Sequence, residues 1–364
     1  MRVLLLGGTG AMGISLKDIL AGRRDEVYIT SRSGHIDDGM IHYIQGDAHD
    51  DSFMAEVLKG EYDAIVDFMV YKSGEFEKKA GRLLDNTGQY IFTSSSRVYA
   101  DSKTPITENS PRLLDVCKDE EYLKTDEYAL AKAREEDVLL NGDKKNWTII
   151  RPYITYNVER LQLGAIEKDV WLYRALHGRN IPLPKDIAAC QTTMTYGGDV
   201  AKAIAGLIGN ERALGEAFHL TGIEHRSWSD VLDIYLNVLE KEIGMQPKVY
   251  MPESSLGLTK VMGNTYQVRY DRLYNRVFDN TKLLSAIGTM PFTSMEDGLG
   301  SCLSEFLKKP KWRGQVNSKT EAYINKQTKD KMMDSELVGS KEKVKYYGWY
   351  YIPGLLELLR KIKG

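Results

Sequence analysis

Residues 3–13, VLLLGGTGAMG, join an apolar run directly to Gly7, Gly10 and Gly13, which are spaced three residues apart. The run predicts a buried strand and the residues after it predict a helix, so the glycines lie in a tight turn between the two. In such a turn the backbone can approach a pyrophosphate closely, and amides at the helix N-terminus point toward it. The spacing alone is weak evidence, but its position after a strand and before a helix predicts that the three glycines bind a dinucleotide.

The first 150 residues alternate strand-like and helix-like segments, which is typical of a parallel sheet covered by helices on both faces. The predicted strands are Val3–Leu6, Glu26–Thr30, Met40–Gln45, Ala64–Phe68, Tyr90–Thr93 and Thr148–Arg151. The predicted helices between them are Met12–Ala21, Met54–Lys59 and Asp126–Leu140. We therefore expect an α/β fold with a doubly wound parallel sheet.

The rest of the chain predicts a smaller second lobe. Residues 1–155 are expected to form the dinucleotide-binding domain, completed by about 194–224, where a helix from about Asp199 to Ile208 and a strand at Ala217–Thr221 return to the sheet. The substrate lobe is expected at 156–193 and 225–310, with a helix at Trp228–Glu242. Residues 311–364 are expected to form a C-terminal extension.

Composition limits the class of protein. The chain has 364 residues, of which 42% are hydrophobic and 27% charged, with a formal net charge of −2, so it can bury a sizeable core and shows no sign of a nucleic-acid partner. Cys117, Cys190 and Cys302 lie far apart without a paired spacing, which argues against disulfides and structural zinc. No segment is apolar enough for a signal peptide or a membrane span. We expect a soluble, cytoplasmic protein.

The end of the chain is basic and aromatic. From Lys308 to Lys345, eleven Lys and Arg residues face five Asp and Glu residues, ahead of YYGWYYIPG at 346–354 and a predicted helix at Leu355–Ile362. This pattern is compatible with contact to an acidic surface or a membrane interface. Interleaved charges favour the simpler interpretation, a solvated segment whose end packs on the body or on a second subunit.

The second and third strands predict which dinucleotide binds. The second strand ends in Ser31 and Arg32 with no acid, and a planar guanidinium can grip the 2′-phosphate of NADP. NADP is therefore favoured, with NAD as the alternative. Asp47, after the third strand, is placed to contact the adenine edge, although a role in capping a turn is nearly as plausible. The remaining candidate cofactor contacts are Thr9 and Met12 in the glycine turn.

A tyrosine and a lysine four residues apart lie on one face of a helix, where the lysine cation stabilises the phenolate. The spacing occurs at Tyr99/Lys103 and at Tyr128/Lys132. The first pair runs into a proline and predicts a loop. The second lies in a helix for which Asp126 is a plausible N-cap, so only Tyr128 and Lys132 have the geometry for acid-base chemistry.

FTSSSRVY, residues 92–99, ends the fifth predicted strand, so its hydroxyl groups emerge at the carboxyl edge of the sheet, where doubly wound folds bind ligands. One of these serines can hydrogen-bond a substrate hydroxyl or carbonyl beside Tyr128.

These pieces together resemble the extended short-chain dehydrogenase/reductase family of the NAD-dependent epimerase/dehydratase type, which mostly modifies nucleotide sugars. The matching motifs, in the family's order, are GGTGAMG, TSSSRVYA, YALAK, IIRPYITY, TYGGDVAKAI and VFDNTKL. They span roughly residues 1–300. The resemblance implies a Rossmann dinucleotide-binding domain and a homodimer.

Residue by residue, the resemblance implies that Tyr128 is the catalytic acid and base and that Lys132 binds the nicotinamide ribose. It aligns Ser95 with the catalytic serine, with Ser96 as the nearest competitor. The implied reaction is hydride transfer at a sugar carbinol, as in an epimerase or a keto-reductase. Candidate substrate contacts are Ser96, Arg97, Tyr153 and Arg272.

The chain departs from the family in places that bear on the substrate. A dehydratase needs an acidic pair where this chain has Ser96 and Arg97, so dehydration is discounted. The basic residue that the family has shortly before Asp199 is absent, although Arg269, Arg272 and Arg276 carry charge nearby in the sequence.

Other functions stay open at this stage. One alternative is a non-redox isomerase of the pyranose-furanose mutase type, and another is a non-enzymatic regulatory or RNA-associated relative. The histidines His177, His219 and His225 have no metal-ligand spacing, so no metal is expected, and His219 is interpreted as a strand residue satisfied by a neighbour.

Overall fold

The structure is a computed structural model and describes residues 1–72, 74–314, 317–337 and 339–356. Its strands are β1 (Arg2–Leu6), β2 (Glu26–Ser31), β3 (Ile41–Gln45), β4 (Tyr62–Asp67), β5 (Thr87–Thr93), β6 (Trp147–Pro152), β7 (Thr155–Tyr156), β8 (Gln162–Leu163), β9 (Ile166–Glu167), β10 (Ile181–Pro182), β11 (Gln191–Thr192), β12 (Thr195–Tyr196), β13 (Glu216–Leu220), β14 (Arg226–Ser227) and β15 (Val249–Tyr250).

The helices are α1 (Ala11–Gly22), α2 (Asp51–Val57), α3 (Glu75–Asp85), α4 (Leu113–Val116), α5 (Glu120–Leu123), α6 (Tyr128–Leu140), α7 (Lys168–Leu176), α8 (Lys185–Ala188), α9 (Gly197–Leu207), α10 (Trp228–Ile243), α11 (Leu256–Met262), α12 (Thr265–Gln267), α13 (Thr281–Ile287), α14 (Met295–Lys308), α15 (Ser318–Thr328) and α16 (Gly339–Tyr351). Short 3-10 turns span Leu58–Gly60, Ser96–Val98, Glu211–Ala213 and Asp334–Glu336, and a π-helical turn spans Val268–Arg272.

Within the described part of the chain, seven parallel strands form one sheet in the order β13-β6-β5-β4-β1-β2-β3. From β1 the chain adds β2 and β3 on one side of the sheet, and from β4 it adds β5, β6 and β13 on the other side. The strand order therefore reverses between β1 and β4. In such sheets ligands bind at the carboxyl ends of the strands where the order reverses. The predicted α/β doubly wound fold is confirmed.

The core lies on both faces of this sheet. Val3 and Leu5 pack on one face with α1 and α9, whereas Leu4 and Leu6 pack on the other face with α2 and α3. All four side chains are buried, so β1 reads in the sequence as a continuous apolar run rather than an alternating one. Burial of each such leucine or valine contributes about 1.5–3 kcal/mol to folding.

The six strands predicted for the first 150 residues are present, with ends shifted by a few residues. Helix α3 was not predicted, because charged residues dominate its sequence. Its buried side chains Phe76, Ala80 and Leu83 nevertheless recur at helical spacing.

The predicted N-cap of α6 is wrong by one residue. Glu127, and not Asp126, accepts a hydrogen bond from the Ala129 amide. Asp126 instead forms an exposed ion pair with Arg134, at 3.5 Å. A longer acidic side chain can therefore cap a helix where the sequence offers a shorter one beside it.

The chain forms two compact units. The first contains Met1–Asn157, Thr192–His225 and Asn275–Leu299, and the second contains Val158–Gln191, Arg226–Tyr274 and the described residues from Gly300 onward. Residues 275–299, placed in the substrate lobe by the sequence analysis, thus lie in the first unit. The described part of 311–364 lies in the second unit, and the domain boundaries stay a prediction.

The C-terminal residues of the second unit pack through a small apolar cluster. Tyr346 and Trp349 of α16 are buried there with Ala322 of α15. All residues of this cluster belong to 311–364, so packing of the aromatic segment on the body or on a second subunit stays a prediction. The predicted helix Leu355–Ile362 lies outside the described residues beyond Leu356. Among the described residues, no helix has both the length and the apolar character needed to cross a membrane.

Candidate active site

The loops after β1, β2, β3 and β4 line a cavity of about 280 Å³ at the carboxyl edge of the sheet. Five of the predicted cofactor residues line it: Gly7, Thr9, Ser31, Arg32 and Asp47. The cavity is therefore at the place where a doubly wound fold holds the adenosine half of a dinucleotide.

The glycines of the turn serve three different purposes. Gly7 has a φ of +68°, a conformation that favours glycine. At Gly13 a Cβ atom would lie 2.2 Å from the Gly8 carbonyl oxygen, so a side chain there would clash with the turn. At Gly10, the N-cap of α1, no protein atom lies within 4 Å of where a Cβ would be. Protein packing does not require glycine at that position, and the open space there suits the close approach of a pyrophosphate. The turn therefore fits a dinucleotide.

The residues expected to distinguish NADP from NAD differ in whether their side chains already form hydrogen bonds within the protein. The Ser31 hydroxyl accepts a hydrogen bond from the Ser33 amide at 3.2 Å and lies 3.1 Å from His35 Nε2. Asp47 accepts from the His49 amide at 3.0 Å, so it does cap a turn while also lining the cavity. The exposed Arg32 guanidinium makes no hydrogen bond or ion pair within the described part of the chain, which leaves it available to an anion.

The three serines after β5 have separate roles. Ser94 donates to Glu136 at 2.6 Å, and Ser96 donates to the Arg151 carbonyl oxygen at 2.6 Å. Ser95 accepts a hydrogen bond from the Arg97 amide at 3.2 Å, and no bond donated by its own hydroxyl is found among the described residues. Of the three, Ser95 thus has a proton to offer a substrate.

Tyr128 is the first residue of α6, and 36% of it is exposed. The Arg97 guanidinium lies 5.3 Å from the centre of the Tyr128 ring and pairs with Glu127. Glu127 in turn caps α6 and accepts a hydrogen bond from Tyr122 at 3.1 Å. Arg97 therefore connects the serine turn with the start of the helix that carries Tyr128, instead of pointing freely at a substrate.

Lys132 follows Tyr128 by one helical turn and is only 2% exposed. Its ammonium group donates to Glu135 at 2.9 Å and lies 3.5 Å from the carbonyl oxygen of Met69, a residue that lines the dinucleotide cavity. Lys132 therefore lies next to that cavity. Glu135 was not singled out from the sequence, because a glutamate inside a helix carries no distinctive signal.

A second buried acid lies near Lys132. Asp67, the last residue of β4, accepts hydrogen bonds from Tyr71 at 2.5 Å and Tyr90 at 2.6 Å. Burial raises the pKa of Asp67, although both tyrosine hydroxyls and Lys132 oppose the shift. Burial likewise raises the pKa of Glu135, which Lys132 opposes. Two acids and one cation thus share this part of the core.

The other tyrosine–lysine spacing lies outside any helix, as predicted, and its tyrosine has a structural role. Tyr99 is fully buried and accepts a hydrogen bond from Arg151 at 2.9 Å. Burial raises the pKa of Tyr99 above its ordinary value. His219, on β13, donates from Nε2 to the Asp279 carbonyl oxygen at 2.8 Å, so the prediction that a neighbour satisfies it is confirmed.

The candidate substrate contacts away from the serine turn are buried. Tyr153 is 3% exposed, with its ring 5.5 Å from that of Phe278. Arg272 lies in the second unit, where it pairs with Asp271 and donates to the Gly164 carbonyl oxygen at 3.0 Å. Arg276 is also buried and donates to the carbonyl oxygens of Tyr99 and Ala100. Of the three arginines in this segment, Arg269 is the exposed one.

No family model matches the chain. A curated relative, the chloroplast stem-loop binding protein of 41 kDa b from Arabidopsis thaliana, is 28% identical over 240 residues. The match covers 61% of this chain and 58% of that protein's length.

Solved structures of several enzymes share the fold. A UDP-glucuronic acid 4-epimerase from Bacillus cereus, in complex with UDP-glucuronic acid and NAD, has a TM-score of 0.63 at 17% identity, covering 85% of this chain and 100% of that one. A dTDP-glucose 4,6-dehydratase from Bacillus anthracis, in complex with NAD, has a TM-score of 0.65 at 16% identity, covering 86% and 98%. A UDP-glucose 4-epimerase from Bifidobacterium longum, with NAD+ and UDP, has a TM-score of 0.61 at 18% identity, covering 85% and 99%. The resemblance seen in the sequence is confirmed: the chain has the fold of the NAD-dependent epimerases and dehydratases of the extended short-chain dehydrogenase/reductase family.

Proposed function

We propose that the chain is an NADP-dependent enzyme that acts on a nucleotide sugar, as an epimerase or a keto-reductase, through Tyr128. The observation that carries the proposal is the placement of Ser95, Tyr128 and Lys132. All three lie in the unit that contains the dinucleotide cavity, and the Ser95 hydroxyl donates to no acceptor among the described residues. The solved structures that contain NAD together with UDP-glucuronic acid or UDP support the same class of substrate and cofactor.

In the proposed reaction Tyr128 removes the proton from a sugar hydroxyl, or returns it to the carbonyl oxygen in the reverse direction. Ser95 donates a hydrogen bond to the same oxygen and holds it beside Tyr128. Lys132 stabilises the phenolate form of Tyr128 from one helical turn away. The nicotinamide, when bound, supplies or accepts the hydride at the sugar carbon. Gly7, Thr9 and Gly10 hold the pyrophosphate.

Arg32 supports NADP as the cofactor. Its guanidinium lines the cavity without a partner among the described residues, and a bidentate guanidinium suits a 2′-phosphate. The solved structures contain NAD, which keeps NAD as the alternative. The cytoplasmic location and the homodimer predicted from the sequence also stay predictions.

The test begins with the dinucleotide. Purified protein is denatured, the released nucleotide is identified by mass, and NADP and NAD are titrated into dinucleotide-free protein. UDP- and dTDP-sugars are then screened by mass and NMR, with Tyr128→Phe as the matched control. A product of unchanged mass with tightly bound dinucleotide indicates an epimerase, and a product formed only with added NADPH indicates a reductase. Protein that binds neither dinucleotide would contradict the proposal.

A second candidate function is RNA binding, which the curated stem-loop binding relative favours. The comparison that separates the two uses a stem-loop RNA and a single strand of the same length, titrated at several salt concentrations. Selective binding of the stem-loop that Tyr128→Phe leaves unchanged, in a protein that converts no sugar, would replace the enzymatic proposal.

A further inference from the structure

A second cavity, of about 230 Å³, lies between α3 and α6. Phe76 and Glu77 of α3 and Val138 of α6 line it, together with Asp126. None of the residues that line the dinucleotide cavity lines this one. Because Glu77 and Asp126 are exposed side chains, the second cavity opens to solvent.

Glu135 is the residue that connects this cavity with the candidate active site. It lines the second cavity and is 8% exposed. Its carboxylate also accepts the hydrogen bond of the buried Lys132 ammonium group, at 2.9 Å. Lys132 itself lies 3.5 Å from the Met69 carbonyl oxygen beside the dinucleotide cavity. One carboxylate thus joins a buried cation to solvent on a side that the dinucleotide cavity does not use.

We infer that Glu135 is a positioning residue that relays protons between Lys132 and the second cavity, so that Tyr128 is reprotonated while substrate and dinucleotide cover the other side. The inference rests on the proposed function. It gives the enzyme a proton path that stays open during hydride transfer.

The surroundings of Glu135 suit this role. Burial raises its pKa, Asp67 and Asp126 raise it further, and Lys132 opposes the shift. A carboxyl in such surroundings exchanges its proton nearer to neutral pH than an exposed glutamate does. Several titratable or charged groups face Glu135 or line the second cavity. They are Lys132 and Arg134 of α6, Asp67 of β4, Tyr90 of β5, Glu77 of α3, and Tyr71 and Asp126 in loops.

The proton balance follows for carbonyl reduction by a reduced nicotinamide dinucleotide. The Tyr128 O–H bond breaks and the substrate oxygen gains the proton, while hydride goes to the carbonyl carbon. The Lys132 ammonium group passes a proton toward the phenolate and becomes a neutral amine. The Glu135 carboxylate then takes a proton from water in the second cavity and passes it to the lysine amine, which restores the carboxylate, so that one proton enters from solvent for each carbonyl reduced.

The experiment compares Glu135→Gln, Glu135→Asp and the control Glu77→Gln, which lines the same cavity and is exposed. NADPH-dependent reduction of a nucleotide keto-sugar is measured from about pH 6 to about pH 9, with the dinucleotide Kd measured separately. We expect Glu135→Gln to lower kcat by about 10- to 100-fold, most at high pH where protons are scarce, with KM and Kd nearly unchanged. Glu135→Asp keeps a carboxylate that can take up and pass on a proton, so it should recover most of the rate, and Glu77→Gln should match the wild type.

A wild-type kcat in Glu135→Gln at every pH would overturn the inference, as would a loss confined to KM or Kd. Failure of Glu135→Asp to recover any rate, with its melting temperature unchanged, would also overturn it. A wild-type protein that binds dinucleotide but neither reduces nor epimerises a nucleotide sugar would instead remove the proposed function, and the inference with it. An enzyme that only epimerises would keep the proposed function and overturn the inference, because epimerisation takes up no net proton from solvent. The two failures are thus distinguishable.

Discussion

A buried charged cluster in the second unit contrasts with the exposed polar groups at the carboxyl edge of the sheet in the first unit. In the second unit Arg174 is fully buried and donates to Glu321, Asn325 and Asp330 at 2.7–3.0 Å. We call these four residues the Arg174 cluster. At the carboxyl edge of the sheet in the first unit, by contrast, Arg32 has no partner among the described residues and Tyr128 is exposed.

This contrast distinguishes polar groups that stabilise the fold from polar groups that are available to bind a ligand. The Arg174 cluster connects α7 with α15 and with Asp330, which follows α15. The hydrogen bonds that the Arg174 guanidinium donates are accepted by protein side chains. The hydroxyl of Ser95 and the guanidinium of Arg32 donate to none among the described residues. Polar groups left uncommitted beside a cavity are candidates for binding and catalysis. Replacing groups of each kind tests this division.

The largest effect is expected for Tyr128, with Tyr99 of the same unit as the comparison. Tyr128→Phe removes the proposed proton donor and should lower kcat by about 100- to 10 000-fold, since general acid-base catalysis contributes a factor of that size. Tyr99→Phe removes a buried hydroxyl that accepts from Arg151, so it should cost about 1 kcal/mol of stability and leave kcat near the wild-type value. Turnover of the sugar found in the screen and urea unfolding measure the two quantities. Equal losses of kcat in both variants would contradict the distinction between structural and ligand-binding polar groups.

The next effect concerns the Arg174 cluster. Arg174→Met leaves the buried Glu321 without its closest cation and should lower the free energy of unfolding by about 3–5 kcal/mol. Burial already raises the pKa of Glu321 even with Arg174 present, so the remaining carboxyl should take up a proton in the variant. Urea unfolding followed by tryptophan fluorescence measures the loss. The double variant Arg174→Met/Glu321→Gln should recover part of it.

Arg160→Met is the matched control for that measurement. Arg160 and Glu167 form an ion pair at 3.3 Å in the same unit, but both side chains are exposed by about two fifths. Exposed pairs contribute at most about 1 kcal/mol. A loss in Arg160→Met as large as that in Arg174→Met would show that burial of the pair does not decide its contribution.

The sheet was predictable because both signals for it are local. Apolar runs such as Val3–Leu6 identify buried strands, and the glycines after them identify the turn. The helix with Tyr128 and Lys132 was predictable for the same reason. Glu135 and Asp67 were not, because their importance depends on burial against residues distant in the chain, such as the pairing of Asp67 with Tyr90. The residues alone did not separate Ser95 from Ser96, and only the family resemblance favoured Ser95. The fold engages the Ser96 hydroxyl as a donor and not that of Ser95, among the described residues.

Arg32 provides a smaller and more selective test. Arg32→Ala should weaken NADP binding by about 10- to 100-fold and leave NAD binding nearly unchanged, because a hydrogen-bonded charge pair with a phosphate contributes about 1.5–3 kcal/mol. Titration of both dinucleotides gives the ratio of the two Kd values. Lys103→Ala, an exposed cation outside the cavity, controls for a general loss of positive charge. Equal weakening of NADP and NAD would assign Arg32 to the shared part of the dinucleotide.

The smallest expected effect is a pH dependence of stability that arises from His219, a hydrogen-bonded side chain in the first unit. Burial lowers the pKa of His219 in the fold, so the unfolded chain binds its proton more readily than the folded chain does. Its contribution is therefore fully present above the unfolded pKa of about 6.5 and is lost as the pH falls below it, by up to about 1.4 kcal/mol per unit. His219→Gln can still donate to the Asp279 carbonyl oxygen but cannot titrate, so the difference in urea midpoint between about pH 7.5 and about pH 5.5 should shrink in the variant. An unchanged difference would mean that other groups cause the acid sensitivity of this unit.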